Sequence, residues 1–261
     1  MNKLKRPIAF VICSTNHGTM LVNKNDYYLI DKENGYGVGY GLFKYSVHEP
    51  DETEIAMELL KLRKHYYGSN VVAIDCGANI GTHTIGWSKL MYEWGSVISF
   101  EAQERIFYAL AGNITINNCF NARAIWAAVG ERSGCIEVPL VDYFSPSSYA
   151  SLELVKKEST EFIGQNVDYD KTQTVKMVCI DELELERLDF IKIDVEGMEI
   201  DVLKGAKKTI QKTRPQMMIE KIKSDEQIIS FLSELDYKLF SLTRDILAIH
   251  KNDLCLSHIN F

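Results

Sequence analysis

The sequence predicts an α/β protein with a mostly parallel sheet, and two observations lead to this fold class. From residue 71 onward, short apolar segments alternate with segments whose apolar residues recur every three or four positions. This alternation is typical of buried parallel strands connected by amphipathic helices. Four of the predicted strands end in a carboxylate, at Asp75, Glu101, Asp194 and Glu220. Because ligands bind at the carboxyl ends of such strands, the four acids predict a ligand site.

Residues 1–48 are expected to form a small β-rich appendage. The candidate strands are residues 10–13, 20–22 and 27–30, and the Asn-Gly pair at 34–35 with the Gly-Tyr run after it favours turns. A short apolar run at residues 8–13 follows basic residues. It begins after Pro7 and ends at once in polar residues, so we interpret it as a strand rather than a secretory signal.

Residues 49–261 are predicted to form the α/β domain. Helices are expected at residues 51–66, 82–93, 103–117 and 225–235. Strands are expected at residues 71–74, 97–100, 124–128, 190–193 and 217–219, and at 237–242 and 246–250, which a turn connects. Residues 141–174 interrupt this rhythm and are rich in Ser, Glu, Lys and Tyr, which predicts a loop or lid insertion over the site.

Composition limits the classes of protein that remain. The chain has 261 residues, of which 46% are hydrophobic and 25% charged, which excludes a disordered or collagenous chain. The net charge of −7 argues against a nucleic-acid partner, and no segment is long enough to span a bilayer. The six cysteines form no CxxC pair, which predicts reduced thiols and a cytoplasmic location.

The strongest local motif is the D-x-G-x-N-x-G turn of residues 75–81. Gly77 and Gly81 remove side chains where a ligand and the next helix come close. Asn79 stands where a dinucleotide fingerprint requires its second glycine, and no Gly-Lys-Ser/Thr of a phosphate loop follows. An acid before a loop of small residues suits a positively charged amine, such as the methionine end of S-adenosylmethionine. Glu101, at the end of the next strand, is placed to accept both hydroxyls of an adenosine ribose.

Residues 190–206 carry a further indication of a functional site, after the glycine turn and Glu101. Lys192 and Asp194 are two positions apart and therefore point to one side of a strand. A buried lysine requires a partner, which Asp194 or Glu220 would supply. The alternative is a structural ion pair, with Glu196 and Glu199 in the first turn of a helix, where negative charge is favourable.

These residues together resemble the FkbM-type methyltransferases, which are S-adenosylmethionine-dependent class I enzymes that usually methylate hydroxyl oxygens. The resemblance extends from about residue 50 to 220. It is carried by Gly77-Ala-Asn-Ile-Gly81, Phe100-Glu101, Ala127-Ala-Val-Gly130 and, above all, Ile191-Lys-Ile-Asp-Val-Glu-Gly197. It implies a Rossmann-like class I methyltransferase fold, with a mostly parallel seven-stranded sheet and an antiparallel C-terminal strand.

The resemblance also implies roles for individual residues. The cradle for the amino-acid half of the cofactor would consist of Asp75, Gly77, Ala78, Asn79 and Gly81, with Glu101 as the ribose ligand. Asp194 and Glu220, together with Lys192, would lie beside the sulfonium and the acceptor.

The base that activates an acceptor hydroxyl is not decided by the sequence. Asp194 is the first candidate and Glu220 the second, while His83 is either a further base or a structural histidine. Alternatively, Asp194 and Glu220 hold a Mg²⁺ ion that lowers the pKa of the acceptor.

The function expected from the resemblance is O-methylation of a hydroxyl on a sugar, glycan or secondary metabolite, with a small-molecule or glycan acceptor. One alternative is a non-catalytic Rossmann-like module that binds the cofactor without turnover. Another is methylation of nucleic acid or peptide. Asp194-Val-Glu-Gly stands where many base methyltransferases carry an Asn/Asp-Pro-Pro-Tyr/Phe loop, which argues against base methylation.

Overall fold

The computed structural model describes residues 7–32, 34–220 and 225–259. The part before the central sheet contains two antiparallel strand pairs and two helices. These elements are β1 (Phe10–Thr15), β2 (Gly18–Asn23), β3 (Tyr28–Leu29), β4 (Gly35–Tyr36), α1 (Val38–Tyr45) and α2 (Pro50–Tyr67).

The remainder of the chain alternates strands and helices. Its first half consists of β5 (Val71–Cys76), α3 (Thr82–Leu90), β6 (Gly95–Glu101), α4 (Glu104–Ile116), β7 (Ala122–Trp126), β8 (Ala128–Val129) and β9 (Gly134–Pro139). Its second half consists of β10 (Thr172–Val178), β11 (Phe190–Ile193), α5 (Glu199–Gly205), α6 (Lys207–Thr213), β12 (Gln216–Glu220), α7 (Asp225–Glu234), β13 (Tyr237–Ser241) and β14 (Asp245–His250). Short 3₁₀ helices lie at Tyr149–Ser151, Ile180–Leu183 and Leu254–His258.

The central sheet has seven strands in the order β13-β14-β12-β11-β5-β6-β7. Strands β12, β11, β5, β6 and β7 are parallel, and β14 runs antiparallel to both of its neighbours. This arrangement confirms the predicted Rossmann-like fold. The strand order reverses between β5 and β11, where Lys192 pairs with Asp75, and a ligand crevice is expected at such a switch point.

Two hydrophobic clusters cover the two faces of the central sheet. In β5, Ile74 and Cys76 belong to one cluster, whereas Val71 and Ala73 belong to the other. This division follows from the period of two along a strand. Because both faces are buried, the strand reads as a continuous apolar run, which is why its position was predictable.

The first predicted helix is confirmed as α2. Pro50 stands at its first position, where the missing N–H costs no hydrogen bond, and Gly68 ends it. Helix α4 buries Ile106, Ala109, Leu110 and Asn113, the spacing expected of one buried face.

The N-terminal segment is an antiparallel β structure, as predicted, but it also contains helix α1 where turns were predicted. Gly39 at the start of α1 donates its backbone N–H to Asp26 Oδ2 at 3.0 Å, and a Cβ on Gly39 would lie 2.7 Å from the Asn23 carbonyl oxygen. The glycines that suggest turns therefore permit close packing of a helix. Strand β2 packs on α4, where Asn113 Oδ1 accepts the N–H of Leu21.

A second small sheet, in the order β8-β10-β9, was not predicted. It flanks residues 141–174, and β10 begins inside the last part of that segment. Within the described ranges, no helix is both long and apolar enough to cross a bilayer. The six cysteines, all of them described, form no disulfide, and four are buried.

Candidate active site

An open cavity lies at the carboxyl ends of the parallel strands, with an empty volume of about 1080 Å³ that includes the solvent at its mouth. One side, residues 77–79, 100–103 and 127–129, we call the glycine-loop wall. Another, residues 192, 194–196, 198 and 220, we call the acid wall. The N-terminal wall is residues 36–38 and 48–49, and residues 148, 150–152 and 154 of the predicted lid form a fourth part of the lining. Thr82, His83 and Arg244 complete it.

The structure brings most of the predicted site residues to this cavity. Its lining includes Gly77, Ala78, Asn79, Glu101, Lys192, Asp194 and Glu220. His83, the third candidate base, also lines it. Asp75 and Gly81 do not belong to the lining and lie behind the loop that they bracket.

Glycine is required at both ends of the loop for packing reasons. Gly77 has φ +80°, and a Cβ there would lie 1.7 Å from the backbone oxygen of Asp194. Gly81 has φ +92°, and a Cβ there would lie 2.6 Å from Leu110 of helix α4. The first glycine therefore allows the loops after β5 and β11 to touch, and the second allows α3 to approach α4.

Glu101 is held by backbone groups. Its Oε2 accepts the N–H of Asn79 at 3.0 Å, and its Oε1 accepts the N–H of Gln103 at 2.7 Å. Burial raises the pKa of Glu101 to about 7, although these backbone hydrogen bonds oppose the shift. Each carboxylate oxygen has a second lone pair, so the group can accept two more hydrogen bonds from a ligand.

Asp75 lies below the loop and uses one of its two carboxylate oxygens in a hydrogen bond. It is 1% exposed, and its Oδ2 accepts the hydroxyl of Thr84 at 2.6 Å. Burial raises its pKa, and its Oδ1 has no hydrogen-bond partner among the described residues. The structure thus places Asp75 as a support for helix α3, and its predicted contact with a ligand amine stays a prediction.

Lys192 and Asp194 form the centre of the acid wall. Lys192 is 4% exposed, and its Nζ contacts Asp194 Oδ2, which supplies the partner predicted for a buried lysine. Burial alone would lower the pKa of Lys192, but the charges of Asp194 and Glu49 outweigh it and hold that pKa well above its usual range. Lys192 is therefore a fixed cation beside the Asp194 carboxylate.

Glu196 is a member of the acid wall that the sequence interpretation placed in a helix. One carboxylate oxygen each from Asp194, Glu196 and Glu220 lies within 4.8 Å of the others. Helix α5 begins only at Glu199, while Glu196 has φ +52° in the loop before it. A non-glycine residue in this region is a signal of a constrained functional loop, but it is visible only in the structure.

The acids of this wall influence each other strongly. Burial, followed by the charges of Asp194 and Glu196, raises the pKa of Glu220 far above its usual range. Burial and the charge of Asp194 likewise raise the pKa of Glu196. The raised pKa of about 11 means that Glu220 holds a proton at neutral pH when no cation is bound, and the protonated form of Glu196 is favoured in the same direction.

The N-terminal wall contributes Glu49, a residue for which the sequence carried no signal. Its Oε2 lies 2.9 Å from His83 Nε2, across 34 positions in the chain. The other ring nitrogen of His83 lies 3.3 Å from Thr53 Oγ1. Because both ring nitrogens are engaged, His83 is a structural partner of Glu49 rather than a free base.

The predicted lid segment is attached to the rest of the site by two buried side chains. Gln103 donates its side-chain amide to the Tyr149 carbonyl at 2.8 Å and accepts the hydroxyl of Tyr143 at 3.1 Å. Asp26 Oδ1 accepts the N–H of Tyr149 at 3.3 Å. Tyr149 itself is fully buried.

The sheet order, with a carboxylate-rich crevice at its switch point, is that of a Rossmann-like class I methyltransferase fold. Residues 75–239 match the family described as the Methyltransferase FkbM domain, and the chain belongs to this family. The match confirms the family that the residues of the sequence resembled. The region before residue 75 lies outside the match.

Individual proteins similar to this chain include two methyltransferases and one solved structure. The chain is 26% identical over 202 residues to Methyltransferase sdnD of Sordaria araneosa, covering 68% of this chain and 76% of the relative. It is 25% identical to Methyltransferase 1 of Beauveria bassiana over 146 residues, covering 51% of this chain and 57% of the relative. The crystal structure of a methyltransferase FkbM from Methylobacillus flagellatus KT is similar at 19% identity and a TM-score of 0.47, covering 72% of this chain and 48% of that one. The chain thus spans about half the length of that protein.

Proposed function

We propose that this protein is an S-adenosylmethionine-dependent methyltransferase that acts on a hydroxyl oxygen of a sugar, a glycan or a secondary metabolite. The observation that carries the proposal is that Glu101 and the Lys192–Asp194 pair line one cavity. Glu101 can bind a ribose, and the Lys192–Asp194 pair can bind and deprotonate a hydroxyl group.

The glycine-loop wall fits the cofactor in shape and in chemistry. Glu101 can accept two ribose hydroxyls, and Ala102, Ala127 and Val129 form a small apolar surface that suits a flat adenine ring. The loop of residues 77–79 is where the amino-acid half would lie. The cofactor supplies a methyl group on a sulfonium, which is a good leaving group. The protein then mainly has to position the acceptor.

The acid wall supports a role for Asp194 as general base. An alcohol is a poor nucleophile and reacts faster when a base removes its proton. Glu220 is protonated at neutral pH because its pKa is raised, so it can donate a hydrogen bond but cannot accept the proton. Lys192 orients Asp194 and stabilises its charge. Asp194 is thus the base, with Glu220 and Lys192 as its partners.

A Mg²⁺ ion held by Asp194, Glu196 and Glu220 is the second possibility for activating the hydroxyl. Carboxylate oxygens are the ligands that this ion prefers, and the three groups are close enough to share one. The Lys192 ammonium, which already contacts Asp194, makes the metal less necessary. Chelation by EDTA separates the two mechanisms, since only the metal-dependent one would lose activity.

Other features of the molecule support a lid over the cavity, the proposed acceptor class, catalytic turnover and a cytoplasmic location. We propose that residues 141–174 act as a lid, because residues 148, 150–152 and 154 line the cavity. The net charge of −7 favours a small-molecule or glycan acceptor over nucleic acid. The acids retained in the cavity favour turnover over a non-catalytic binding module. The six unpaired cysteines support a cytoplasmic location.

Calorimetry with S-adenosylhomocysteine tests the proposal. We expect one site per chain, with binding weakened about ten- to a hundredfold in Glu101→Ala, because hydrogen bonds to a charged group are lost. Glu104→Ala, three residues further on and outside the cavity lining, is the matched control and should bind normally. Binding of NADH without binding of S-adenosylhomocysteine would contradict the proposal.

A further inference from the structure

The position of Asp75 leaves a gap in the cofactor site. A methionine tail carries an α-ammonium group, which needs a carboxylate when it is withdrawn from water. The acid of the glycine loop would be the simplest partner, but Asp75 lies below the loop, accepts the Thr84 hydroxyl and does not line the cavity. The other oxygen of Asp75 has no partner among the described residues, but it is buried, so an acid that lines the cavity is the better candidate for this contact under the proposed function.

Glu49 is the carboxylate that the N-terminal wall places beside the loop. Its partner His83 is the second residue of helix α3, which begins immediately after Gly81. Thr82 and His83 line the cavity together with Gly77, Ala78 and Glu49. The Glu49 carboxylate therefore lies beside the first turn of the helix that follows the loop.

The contacts of Glu49 fix the carboxylate and leave one oxygen for a ligand. Oε2 is engaged with His83, whose Nδ1 is in turn held by Thr53 Oγ1. Thr53 also donates its hydroxyl to the Glu49 carbonyl oxygen at 2.8 Å, so that the backbone of Glu49 belongs to the same network. Oε1 lies 3.5 Å from His48 Nε2, which is longer than a normal hydrogen bond.

The charge of Glu49 differs from that of the acid wall. Burial would raise its pKa, but the hydrogen bond to His83 and the charge of Lys192 outweigh burial and hold the pKa well below its usual range. Glu196 and Glu220, by contrast, have raised pKa values. The anionic form of Glu49 is thus favoured, as an ammonium ligand requires.

We propose that Glu49, held in place by His83, binds the α-ammonium group of the cofactor. This inference rests on the proposed function. It assigns a cofactor contact to a segment outside the family match, since residues 36–49 precede residue 75. The N-terminal segment would then complete the cofactor site as well as enclose the cavity.

Calorimetry with two ligands tests the assignment without knowledge of the acceptor. The ligands are S-adenosylhomocysteine and its deaminated analogue, which lacks only the α-amino group. In the native protein, loss of the amine should weaken binding at least tenfold. In Glu49→Gln, S-adenosylhomocysteine should bind at least tenfold more weakly, whereas the affinity of the deaminated analogue should change by less than threefold.

Glu54→Gln is the matched control, because it removes the same charge from the exposed face of the same helix and should preserve the native preference. If Glu49→Gln does not fold, as judged by circular dichroism, Glu49→Asp replaces it. The shorter carboxylate should reduce the preference for the amine several-fold. An unchanged preference in the folded Glu49 variant would overturn the assignment of Glu49 alone. Failure of the native protein to bind S-adenosylhomocysteine would instead overturn the proposed function.

Discussion

The glycine-loop wall and the acid wall hold their carboxylates in different ways. Glu101 accepts backbone N–H groups from Asn79 and Gln103, so its position follows from the path of the chain around β6. Asp194 is held by the side chain of Lys192, and one carboxylate oxygen each of Glu196 and Glu220 lies within 4.8 Å of its own. A carboxylate held by backbone amides keeps its position when neighbouring side chains are substituted. The position and charge of a carboxylate held by charged side chains depend on every one of those side chains.

This difference suggests that the two walls have different functions. Binding a ribose requires fixed acceptors, which backbone amides position well. Moving a proton requires groups whose protonation responds to their neighbours, and the acid wall supplies those. Substitutions in the acid wall should therefore act mainly on turnover, and substitutions in the glycine-loop wall mainly on binding and stability.

The largest effect is expected from Asp194→Asn. The amide is nearly isosteric, so the fold and the affinity for S-adenosylhomocysteine should stay within a few-fold, while turnover falls by about 10²–10⁴. Steady-state kinetics on the true acceptor would measure turnover, and calorimetry would measure the affinity.

Chelation of the native protein separates the two roles of Asp194. Activity that survives EDTA favours a base, and activity lost to EDTA and restored by Mg²⁺ favours a metal site. Full turnover in Asp194→Asn would show that Asp194 is only a structural partner of Lys192.

The second effect compares two glycines with similar backbone conformations. Gly77→Ala would place a Cβ 1.7 Å from the Asp194 oxygen, whereas at Gly68, with φ +79°, no heavy atom lies within 4 Å. We expect Gly77→Ala to lower the free energy of unfolding by about 2–4 kcal/mol, through strain and overpacking. Gly68→Ala should cost less, about 1–2 kcal/mol, because only backbone strain opposes it. Urea unfolding measures both, and equal costs would mean that contact between the two walls is unimportant.

The third effect concerns Gln103, which links the glycine-loop wall to the lid. Gln103→Leu removes the hydrogen bonds to the Tyr149 carbonyl and from the Tyr143 hydroxyl, which should cost about 1–3 kcal/mol of stability. The backbone N–H that Gln103 donates to Glu101 remains, so binding of S-adenosylhomocysteine should change by less than threefold. A large loss of binding would show that the side chain, and not the backbone, positions Glu101.

The smallest effect is a pH dependence of stability in the N-terminal segment. Burial, with the charges of His83 and His48 and of Lys89, lowers the pKa of His17 from 6.5 to about 4, and its Nε2 accepts the His48 N–H at 3.1 Å. The unfolded chain therefore binds a proton that the folded chain excludes between these values, so stability is lost as pH falls from about 6.5 to 4. Thermal unfolding of His17→Gln should show this loss reduced by on the order of 1–2 kcal/mol. The exposed His65→Gln serves as control, and identical pH profiles for His17→Gln and the native chain would refute the prediction.

The central sheet and the glycine-loop wall were predictable because their signals are local. A parallel strand that is buried on both faces, such as Val71–Cys76, requires a continuous apolar run. A turn with positive φ that lies against another loop requires glycine, as at Gly77. The acid that ends the next strand, Glu101, follows at the interval expected of nucleotide-binding folds. Each of these requirements is met within about thirty residues.

The acid wall was predictable only in part. Lys192 and Asp194 share one strand end and therefore one side, so their contact followed from spacing. Glu196 was assigned to a helix because its neighbours fit a helical pattern, but the left-handed backbone at Glu196 and Gly197 delays the helix to Glu199. That backbone conformation depends on tertiary packing, which the spacing of residues in the sequence does not reveal.

Local periodicity and turn chemistry in the amino-acid sequence were thus sufficient for the sheet, its glycine loop and the acids at the strand ends. The tertiary structure alone decided which of those acids reach the cavity: it places Asp75 beneath the loop and Glu49 beside it. Helix α1 and the pairing of Glu49 with His83 were decided in the same way. The reason is physical, since the energy of a buried charge depends on partners brought together from distant parts of the chain, and no pattern of neighbouring residues encodes those partners.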